Sequence, residues 1–281
     1  MTKDHEVTRP SKLPLVSVVT VVRNADSVIA ETIDSVLEQD YTPTEYVVVD
    51  GASTDRTWDI VQQYAGGIDT AVSEPDEGIY DAMNKGAELA SGDWIIYMNA
   101  GDTFASSDVL SSLKDPLTSA ADVILGGVRK VLVDEYETRR FQEYPGEVEA
   151  LWKRMPTSHQ STLVRRRHVL QYPFDTSYRW CADQDQLLRL QAAGKTFRTV
   201  DTVISVFDCQ SDQARSGDLY IRERWRLSEG HVSFVERCLQ FGYEWAHCHL
   251  WGPIVSKLRS ILPSSWVLQI RRLRGTDGTI Q

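Results

Sequence analysis

The stretch SEPDEGIYDAMNKGAELASGDWIIYMNAGD, residues 73–102, decides the fold of this chain. It predicts an acidic turn, an amphipathic helix, a short apolar strand and an abrupt polar end. The apolar run at residues 94–98 is typical of a strand in the middle of a parallel sheet. Asn99-Ala-Gly-Asp102 follows without a linker, so Asp102 is expected at the carboxyl edge of the sheet, where open α/β sheets bind ligands. An acid there, beside small residues that let a phosphate approach, indicates a metal–nucleotide site.

The first half of the chain alternates strand and helix patterns around this stretch. Strands are predicted at residues 15–22, 45–50, 69–73 and 93–98, with helices at 27–38, 54–64 and 78–90. This order predicts a parallel sheet with right-handed crossovers. The second half predicts a hairpin at 121–144, strands at 158–164 and 196–207, and a helix at 180–191.

The composition is that of an ordinary globular protein, with 281 residues, 42% hydrophobic and 25% charged. A formal net charge of −10 argues against a nucleic-acid partner. No apolar signal segment precedes the first strand, and no stretch approaches the roughly 20 apolar residues that cross a bilayer. The four cysteines are scattered, which is typical of a reducing cytoplasm.

Residues 218–281 are predicted to form a helical, basic and amphipathic C-terminal extension. Beyond Trp245, five basic residues accompany a single acid, Asp277; the basic residues are Lys257, Arg259, Arg271, Arg272 and Arg274. Basic segments with tryptophans favour the surface of an anionic membrane, so peripheral attachment at the inner face of the cell membrane is predicted. The alternative is a helix packed on the rest of the protein with its basic face in water.

Two features near the first strands bear on the ligand. Residues 20–24 lack the G-x-G-x-x-G pattern of dinucleotide binders, which argues against an NAD enzyme. Asp50, at the end of the second strand, is placed to hydrogen-bond a ribose or a base edge. The alternative is a turn-forming role, because Asp50 precedes Gly51 and Asp-Gly is a strong turn signal.

Three motifs in register resemble the nucleotide-binding half of glycosyltransferase family 2. They are VSVVTVVRN at residues 16–24, ETIDSVLEQDYTPTEYVVVDGASTDRT at 31–57, and the stretch at 73–102; the resemblance resumes at 158–166 and 173–190. It implies the α/β GT-A fold, with a Rossmann-like, mixed but mainly parallel sheet flanked by helices. The branch that the sequence most resembles builds bacterial surface polysaccharides such as O-antigen.

The resemblance also implies a division of the chain. Residues 1–13 are expected to be a flexible N-terminus, residues 14–110 the nucleotide-sugar-binding half and residues 111–217 the acceptor-binding half. The extension at 218–281 follows.

The resemblance assigns the donor site residue by residue. The uridine of a UDP-sugar is expected at Thr20, Val21, Arg23, Asp50 and Asp55, and the diphosphate and donor sugar at Asp81, Asn84 and Lys85. Asn99, Ala100, Gly101 and Asp102 match the D-x-D element that binds a metal ion. Asp102 is the acid that remains there, and it is the expected ligand of Mn²⁺ or Mg²⁺.

Asp183 matches the acid that serves as general base in the family, although Ala182 replaces the first acid of that motif. It stands at the start of a predicted helix, where the helix dipole favours a carboxylate. Asp185 is its nearest competitor, and the alternative is that both acids only cap the helix. Contacts with the acceptor or the sugar are expected from His159, Gln160 and Trp180.

These residues predict an inverting, metal-dependent glycosyltransferase that moves a sugar from a UDP-sugar to a glycan or lipid-linked oligosaccharide. Direct displacement requires a base for the acceptor hydroxyl. One alternative is a sugar nucleotidyltransferase, but residues 20–27 are not the Gly-rich loop that such enzymes carry after the first strand. The other is a non-catalytic nucleotide-sugar-binding protein, suggested by the incomplete D-x-D element.

Overall fold

The structure is a computed structural model that describes residues 13–133, 138–208 and 218–246. The strands are β1 (Val16–Val22), β2 (Thr44–Asp50), β3 (Thr70–Ser73), β4 (Trp94–Tyr97), β5 (Thr103–Phe104), β6 (Val123–Val133), β7 (Thr138–Glu143), β8 (Thr162–Arg165) and β9 (Phe197–Asp208). The α-helices are α1 (Ile29–Leu37), α2 (Thr57–Gln63), α3 (Ile79–Leu89), α4 (Val109–Ser112), α5 (Lys114–Thr118), α6 (Arg166–Gln171), α7 (Ala182–Ala192), α8 (Asp218–Leu227) and α9 (Phe234–Ala246). Short 3-10 helices cover Val148–Ala150 and His159–Ser161.

One sheet runs through the described chain in the order β3-β2-β1-β4-β8-β6-β9-β5, with β7 paired to β6. The strands β3, β2, β1 and β4 are parallel, whereas β8 runs antiparallel to both β4 and β6. In the register, Val22 at the end of β1 lies opposite Asp50 at the end of β2. The parallel strands therefore end at one common edge.

Alternation of apolar side chains explains why this sheet is covered on both faces. Val19 and Val21 of β1 pack in a cluster with apolar residues of α3, α6 and α7. Val16, Val18 and Val22 face the opposite cluster, which contains residues of α1, α2, α4 and α5. The strands β1, β2 and β4 thus each contribute to two cores, as their near-continuous apolar sequences predict.

The predicted fold class is confirmed as an α/β fold with a mixed, mainly parallel sheet flanked by helices. The hairpin predicted at 121–144 is confirmed as the antiparallel pair β6–β7. The strand predicted at 158–164 begins later, because residues 159–161 form a 3-10 turn before β8. The short strand β5 and the helix α6 were not predicted, since each is brief and carries little periodicity.

The C-terminal extension begins with two helices that pack on each other. The Trp225 ring of α8 lies 6.0 Å from that of Phe234 and 5.7 Å from that of Phe241, both on α9. The Arg237 guanidinium of α9 donates to the Trp225 carbonyl at 2.8 Å. Within the described residues, no helix has the length and apolarity needed to cross a membrane. The basic tail of the prediction, beyond residue 246, and residues 1–12 lie outside the described residues.

Gly86 lets α3 lie close against β1. A Cβ atom at this position would lie 2.4 Å from Cγ1 of Val19, a fully buried residue. Because Val19 is β-branched and packed on all sides, it has no room to move away. The absence of a side chain at Gly86 therefore allows α3 to pack closely on β1.

Replacing Gly86 with Ala is expected to destabilise the protein. The helix gains about 1 kcal/mol of propensity, but overpacking costs about 1–3 kcal/mol, and the 2.4 Å approach places the cost at the upper end. The matched control is Gly66→Ala, because nothing lies within 4 Å of a Cβ there. Urea denaturation followed by circular dichroism should show a lower midpoint for G86A than for G66A. Equal midpoints would refute the close-approach argument.

Candidate active site

Two cavities meet at the start of α3, on the edge where the parallel strands end. The first, of about 330 Å³, is lined by Val21, Arg23 and Asp76 and by residues 99–100 after β4. The second, of about 480 Å³, lies between the first turn of α3 and residues 176–180. Gly78 and Ile79 line both cavities. The predicted donor residues Val21, Arg23, Asn99 and Ala100 are therefore brought together in the first cavity, and Asp81 and Trp180 line the second.

Thr20 and Asp50 are not exposed in either cavity. The Thr20 hydroxyl is fully buried, donates to the Met98 carbonyl at 2.8 Å, and lies 3.0 Å from the Tyr46 hydroxyl. The hydroxyl is therefore used within the sheet interior, and the predicted place of Thr20 beside uridine stays a prediction.

Asp50 is fully buried as well and forms the turn after β2. Its carboxylate accepts the backbone N–H of Ser53 at 3.0 Å, the Ser53 hydroxyl, and the Ser73 hydroxyl at 2.6 Å. These contacts agree with the turn-forming alternative for the Asp50 side chain, and its predicted contact with a ribose or base stays a prediction.

Asp55 stands immediately before α2. Its carboxylate accepts the N–H groups of Thr57 at 3.0 Å and Asp26 at 3.3 Å. Hydrogen bonding to Thr57 outweighs the opposing effect of desolvation and lowers the pKa of Asp55. This residue joins the loop after β1 to the loop after β2, and its predicted contact with uridine stays a prediction.

Asn84 and Lys85 on α3 also have protein partners. The Asn84 amide donates to the Phe174 carbonyl and accepts the Phe174 N–H, both at 2.9 Å, and its predicted contact with the donor stays a prediction. Lys85 lies 3.1 Å from Glu74 and 3.5 Å from Asp81. The contact with Glu74 is the main reason that the pKa of Lys85 is raised. This lysine neutralises the acidic turn that leads into α3.

Asp76 was missed by the sequence analysis although it lines the first cavity. Its Oδ1 accepts the Gly78 N–H at 2.9 Å, and a Cβ on Gly51 would lie 2.0 Å from its Oδ2. The carboxylate therefore occupies the space that a side chain at Gly51 would fill. Asp76-x-Gly78 is a recognisable turn pattern, and it was the available signal.

A series of polar side-chain contacts connects the first cavity to Asp183. Asn99 Nδ2 lies 2.9 Å from His159 Nε2, and His159 Nδ1 lies 3.4 Å from Asp183 Oδ2. When Asn99 Nδ2 donates, His159 Nε2 accepts, and the ring proton on Nδ1 faces the carboxylate. Side-chain exposures of 15% for His159 and 12% for Asp183 place this series largely out of water.

Asp183 lies in the first turn of α7, as predicted. The Tyr80 hydroxyl of α3, which was also missed, donates to Asp183 Oδ1 at 3.4 Å. Asp185 instead binds Arg189 at 2.7 Å on the same helix. The N-cap residue of α7 is Cys181, but Asp183 Oδ1 also accepts the backbone N–H of Gln184 at 2.8 Å, so Asp183 satisfies one N–H group of the first turn. The two acids therefore have different partners: Asp183 contacts His159 and Tyr80, whereas Asp185 forms an ion pair with Arg189.

A smaller cavity of about 110 Å³ adjoins Asp183 and His159. Gln160 lines it, and its Oε1 is buried without a hydrogen-bond partner, as is the Ser158 hydroxyl. Buried polar atoms without partners cost about 1–3 kcal/mol each. Such atoms beside an empty space are suited to the hydroxyl groups of a sugar.

The residues at the D-x-D position supply part of the ligand set that a divalent cation needs. Asn99 Oδ1 is buried without a partner, and Asp102 follows a turn in which its N–H donates to the Asn99 carbonyl at 2.9 Å. Gly101 takes a φ of +95°, which favours glycine in that turn. Oxygen donors of this kind suit Mg²⁺ or Mn²⁺. Among the described residues no cluster of three or more His, Cys, Asp or Glu side chains is present, so substrate oxygens and water would complete the ligand set.

Comparison with known proteins agrees with this geometry. The profile of glycosyl transferase family 2 matches residues 17–179. The putative teichuronic acid biosynthesis glycosyltransferase TuaG of Bacillus subtilis (strain 168) is 36% identical over 105 residues, which are 36% of this chain and 41% of that protein.

Two solved structures share the architecture. The mannosyltransferase PcManGT from Pyrobaculum calidifontis, in complex with GDP-Man and Mn²⁺, aligns with a TM-score of 0.61 and 18% identity over 96% of this chain and 82% of that chain. S. aureus TarS 1–349, in complex with UDP-GlcNAc, aligns with a TM-score of 0.59 and 17% identity over 84% and 73%.

The family profile covers more than half of the chain, so this protein belongs to glycosyltransferase family 2, and its structure has the GT-A fold. The resemblance to surface-polysaccharide enzymes is supported by the likeness to TuaG. The matched segments span about two fifths of the curated relatives' length, 40% and 41%. The matched region ends at residue 179, before α7, and so does not include Asp183.

Proposed function

We propose that this protein is an inverting glycosyltransferase that uses a nucleotide-sugar donor and contributes to surface polysaccharide biosynthesis. The observation that carries this proposal is the series Asn99–His159–Asp183, which connects the donor cavity to the largely buried Asp183 carboxylate at the start of α7. A purely nucleotide-binding protein has no need of a second carboxylate held across the cleft.

The donor occupies the cavity beside Val21, Arg23, Asp76 and Asn99. TarS binds UDP-GlcNAc and PcManGT binds GDP-Man, so the fold accepts more than one nucleotide. The family resemblance favours uridine, and the donor here is proposed to be a UDP-sugar. Its diphosphate lies toward the N-terminus of α3, where free N–H groups and the helix dipole favour an anion.

Asp183 acts as the general base. The acceptor hydroxyl gives its proton to Asp183 while its oxygen forms a bond to the anomeric carbon of the sugar. The bond from that carbon to the diphosphate oxygen breaks, and its electron pair leaves with the nucleotide. His159 and Tyr80 hold the carboxylate in place. Attack from the side opposite the leaving group inverts the anomeric configuration.

Asn99 Oδ1 and the Asp102 carboxylate are the residues that would hold a divalent cation. When bound, Mn²⁺ or Mg²⁺ offsets the negative charge that develops on the leaving diphosphate. Two solved structures with a similar fold, PcManGT and GalNAc-T7, contain Mn²⁺.

The acceptor is proposed to be a glycan or a lipid-linked oligosaccharide. The small cavity beside Gln160 receives its reacting sugar, and the half-buried Trp180 ring provides a surface for sugar stacking in the larger cavity. Neither site is basic enough to favour a nucleic acid.

The extension is proposed to bind the inner surface of the cell membrane. On α9, Phe234 is 69% exposed and Leu239 71% exposed, with Val235 and Trp245 also exposed. These apolar side chains precede the basic tail of residues 247–281 in the sequence. Apolar contact followed by basic charge is the combination that binds anionic lipids.

Asp183→Asn is expected to lower kcat for sugar transfer by about 10²–10⁴-fold, the contribution of a general base, while UDP affinity stays unchanged. The matched control is Asp185→Asn, which removes the same charge two residues away on α7. Transfer is measured as glycoside product formed from UDP-glucose, UDP-galactose or UDP-GlcNAc with a panel of p-nitrophenyl glycosides. Wild-type activity in D183N would remove Asp183 from the role of base.

UDP with Mn²⁺ is expected to raise the melting temperature more than UDP alone, because the cation increases the affinity for the diphosphate. A ligand at 100 times its Kd adds about 2.7 kcal/mol of stability. Asp102→Asn should abolish the manganese increment and keep the response to UDP alone. Asp108→Asn, an exposed site with the same charge change, is the control. Differential scanning fluorimetry with UDP, GDP and dTDP tests this, and a larger response to GDP would contradict the uridine assignment.

Leu239→Glu in the full chain is expected to weaken binding to phosphatidylglycerol-containing vesicles by about 10-fold or more, since burying a leucine contributes about 1.5–3 kcal/mol. Leu219→Glu on α8, where Leu219 is 46% exposed, is the matched control. Co-sedimentation measures both, with pure phosphatidylcholine vesicles as reference. Equal losses in the two variants, or no wild-type binding, would exclude this surface as the membrane contact.

A further inference from the structure

Glu223 of α8 holds the loop that leads into the helix of Asp183. Its carboxylate accepts three successive backbone N–H groups, those of Arg179 at 2.8 Å, Trp180 at 2.9 Å and Cys181 at 3.2 Å. The residue is only 7% exposed. A buried carboxylate with three N–H donors is fixed in position, because charge-assisted hydrogen bonds are stronger than neutral ones.

These N–H groups have no partner within a helix, because α7 begins only at Ala182. Three successive N–H groups that converge on one anion form a nest, which normally needs an anionic partner. Here the partner is a side chain from 42 to 44 residues further along the chain. The conformation of the loop is therefore set by the C-terminal extension.

A second contact from α8 fastens the same loop. The Arg226 guanidinium lies 4.3 Å from the centroid of the Tyr178 ring, donates to the Ser177 hydroxyl at 3.0 Å, and lies 3.3 Å from Asp175. Together, Glu223 and Arg226 hold residues 175–181, which line the larger cavity and end next to Asp183.

We propose that Glu223 is a positioning residue that acts through Asp183. By fixing residues 179–181, it fixes the first turn of α7 and so the distances from Asp183 to His159 and Tyr80. This inference rests on the proposed role of Asp183 as the base. It makes the extension a part of the active site, although Glu223 lies beyond the segment that the family profile matches.

The Cys181 thiol shows how close the two carboxylates are to this turn. Burial, followed by the charges of Asp183 and Glu223, raises the pKa of Cys181. The thiol stays protonated at neutral pH, so it does not act as a nucleophile. Glu223 and Asp183 therefore both lie near Cys181, at the start of α7.

The inference predicts a selective loss of turnover. Glu223→Gln replaces one accepting oxygen with an NH₂ group that faces N–H donors, so the loop shifts. A displacement of about 1 Å at a reacting group can cost about 10²-fold in rate. The donor cavity is built from β1, β4 and the start of α3, so UDP affinity and KM for the UDP-sugar should stay within about twofold of wild type while kcat falls 10- to 100-fold.

The experiment compares Glu223→Gln with Ile221→Ala, which opens a void at a buried position of the same helix. Both variants are measured for melting temperature, UDP affinity, and kcat and KM with the glycoside panel. I221A is expected to lower the melting temperature without changing kcat of the folded protein. At saturating acceptor, the double variant E223Q/D183N should turn over no more slowly than D183N, because the inference has Glu223 affect kcat through the Asp183 carboxylate.

Three results would overturn the inference. They are wild-type kcat in folded E223Q, a parallel loss of UDP affinity and kcat, and an additive loss in the double variant. Full activity of D183N would refute the base role itself, and that result is visible without any Glu223 variant.

Discussion

The parallel register of β1, β2 and β4 is the constraint on which the site depends. Because these strands end together, the loops after them and the start of α3 converge at one edge of the sheet. Gly86 allows α3 to lie against β1, which brings Gly78, Ile79 and Tyr80 to that edge. The chemistry proposed here needs short distances between residues that are up to 103 positions apart, such as Tyr80 and Asp183. A rigid, doubly covered sheet supplies them.

His159 links the two halves of this edge. It lies between Asn99, which follows β4, and Asp183, which begins α7. Both ring nitrogens lie close to polar side chains, which fixes the orientation of the ring. Among the described residues, Asn99 Oδ1, Gln160 Oε1 and the Ser158 hydroxyl are buried side-chain atoms near this site without a hydrogen-bond partner. Their positions mark where substrate or cation oxygens and hydroxyls would complete the hydrogen bonding.

The alternation of strands and helices could be predicted from the sequence because apolar periodicity depends on neighbouring residues. Individual ligand contacts were harder to predict. Asp50 and Asn84 lie at the predicted places, but in the structure the Asp50 carboxylate accepts hydrogen bonds from Ser53 and Ser73, and the Asn84 amide donates one to Phe174. A position on a strand or helix does not determine the hydrogen-bond partner of a side chain. Glu223 carried no local signal, since its partners are backbone N–H groups on a distant loop.

The location of α8 has a consequence for regulation. This helix touches the loop before Asp183 on one side and α9 on the other. A molecule that binds α9 and shifts α8 therefore changes the energy of the catalytic turn. Thermodynamic linkage makes that influence mutual, so a ligand that orders the turn before α7 changes the affinity of α9 for its own ligand by the same factor. Binding at α9 and binding beside Asp183 are thereby coupled.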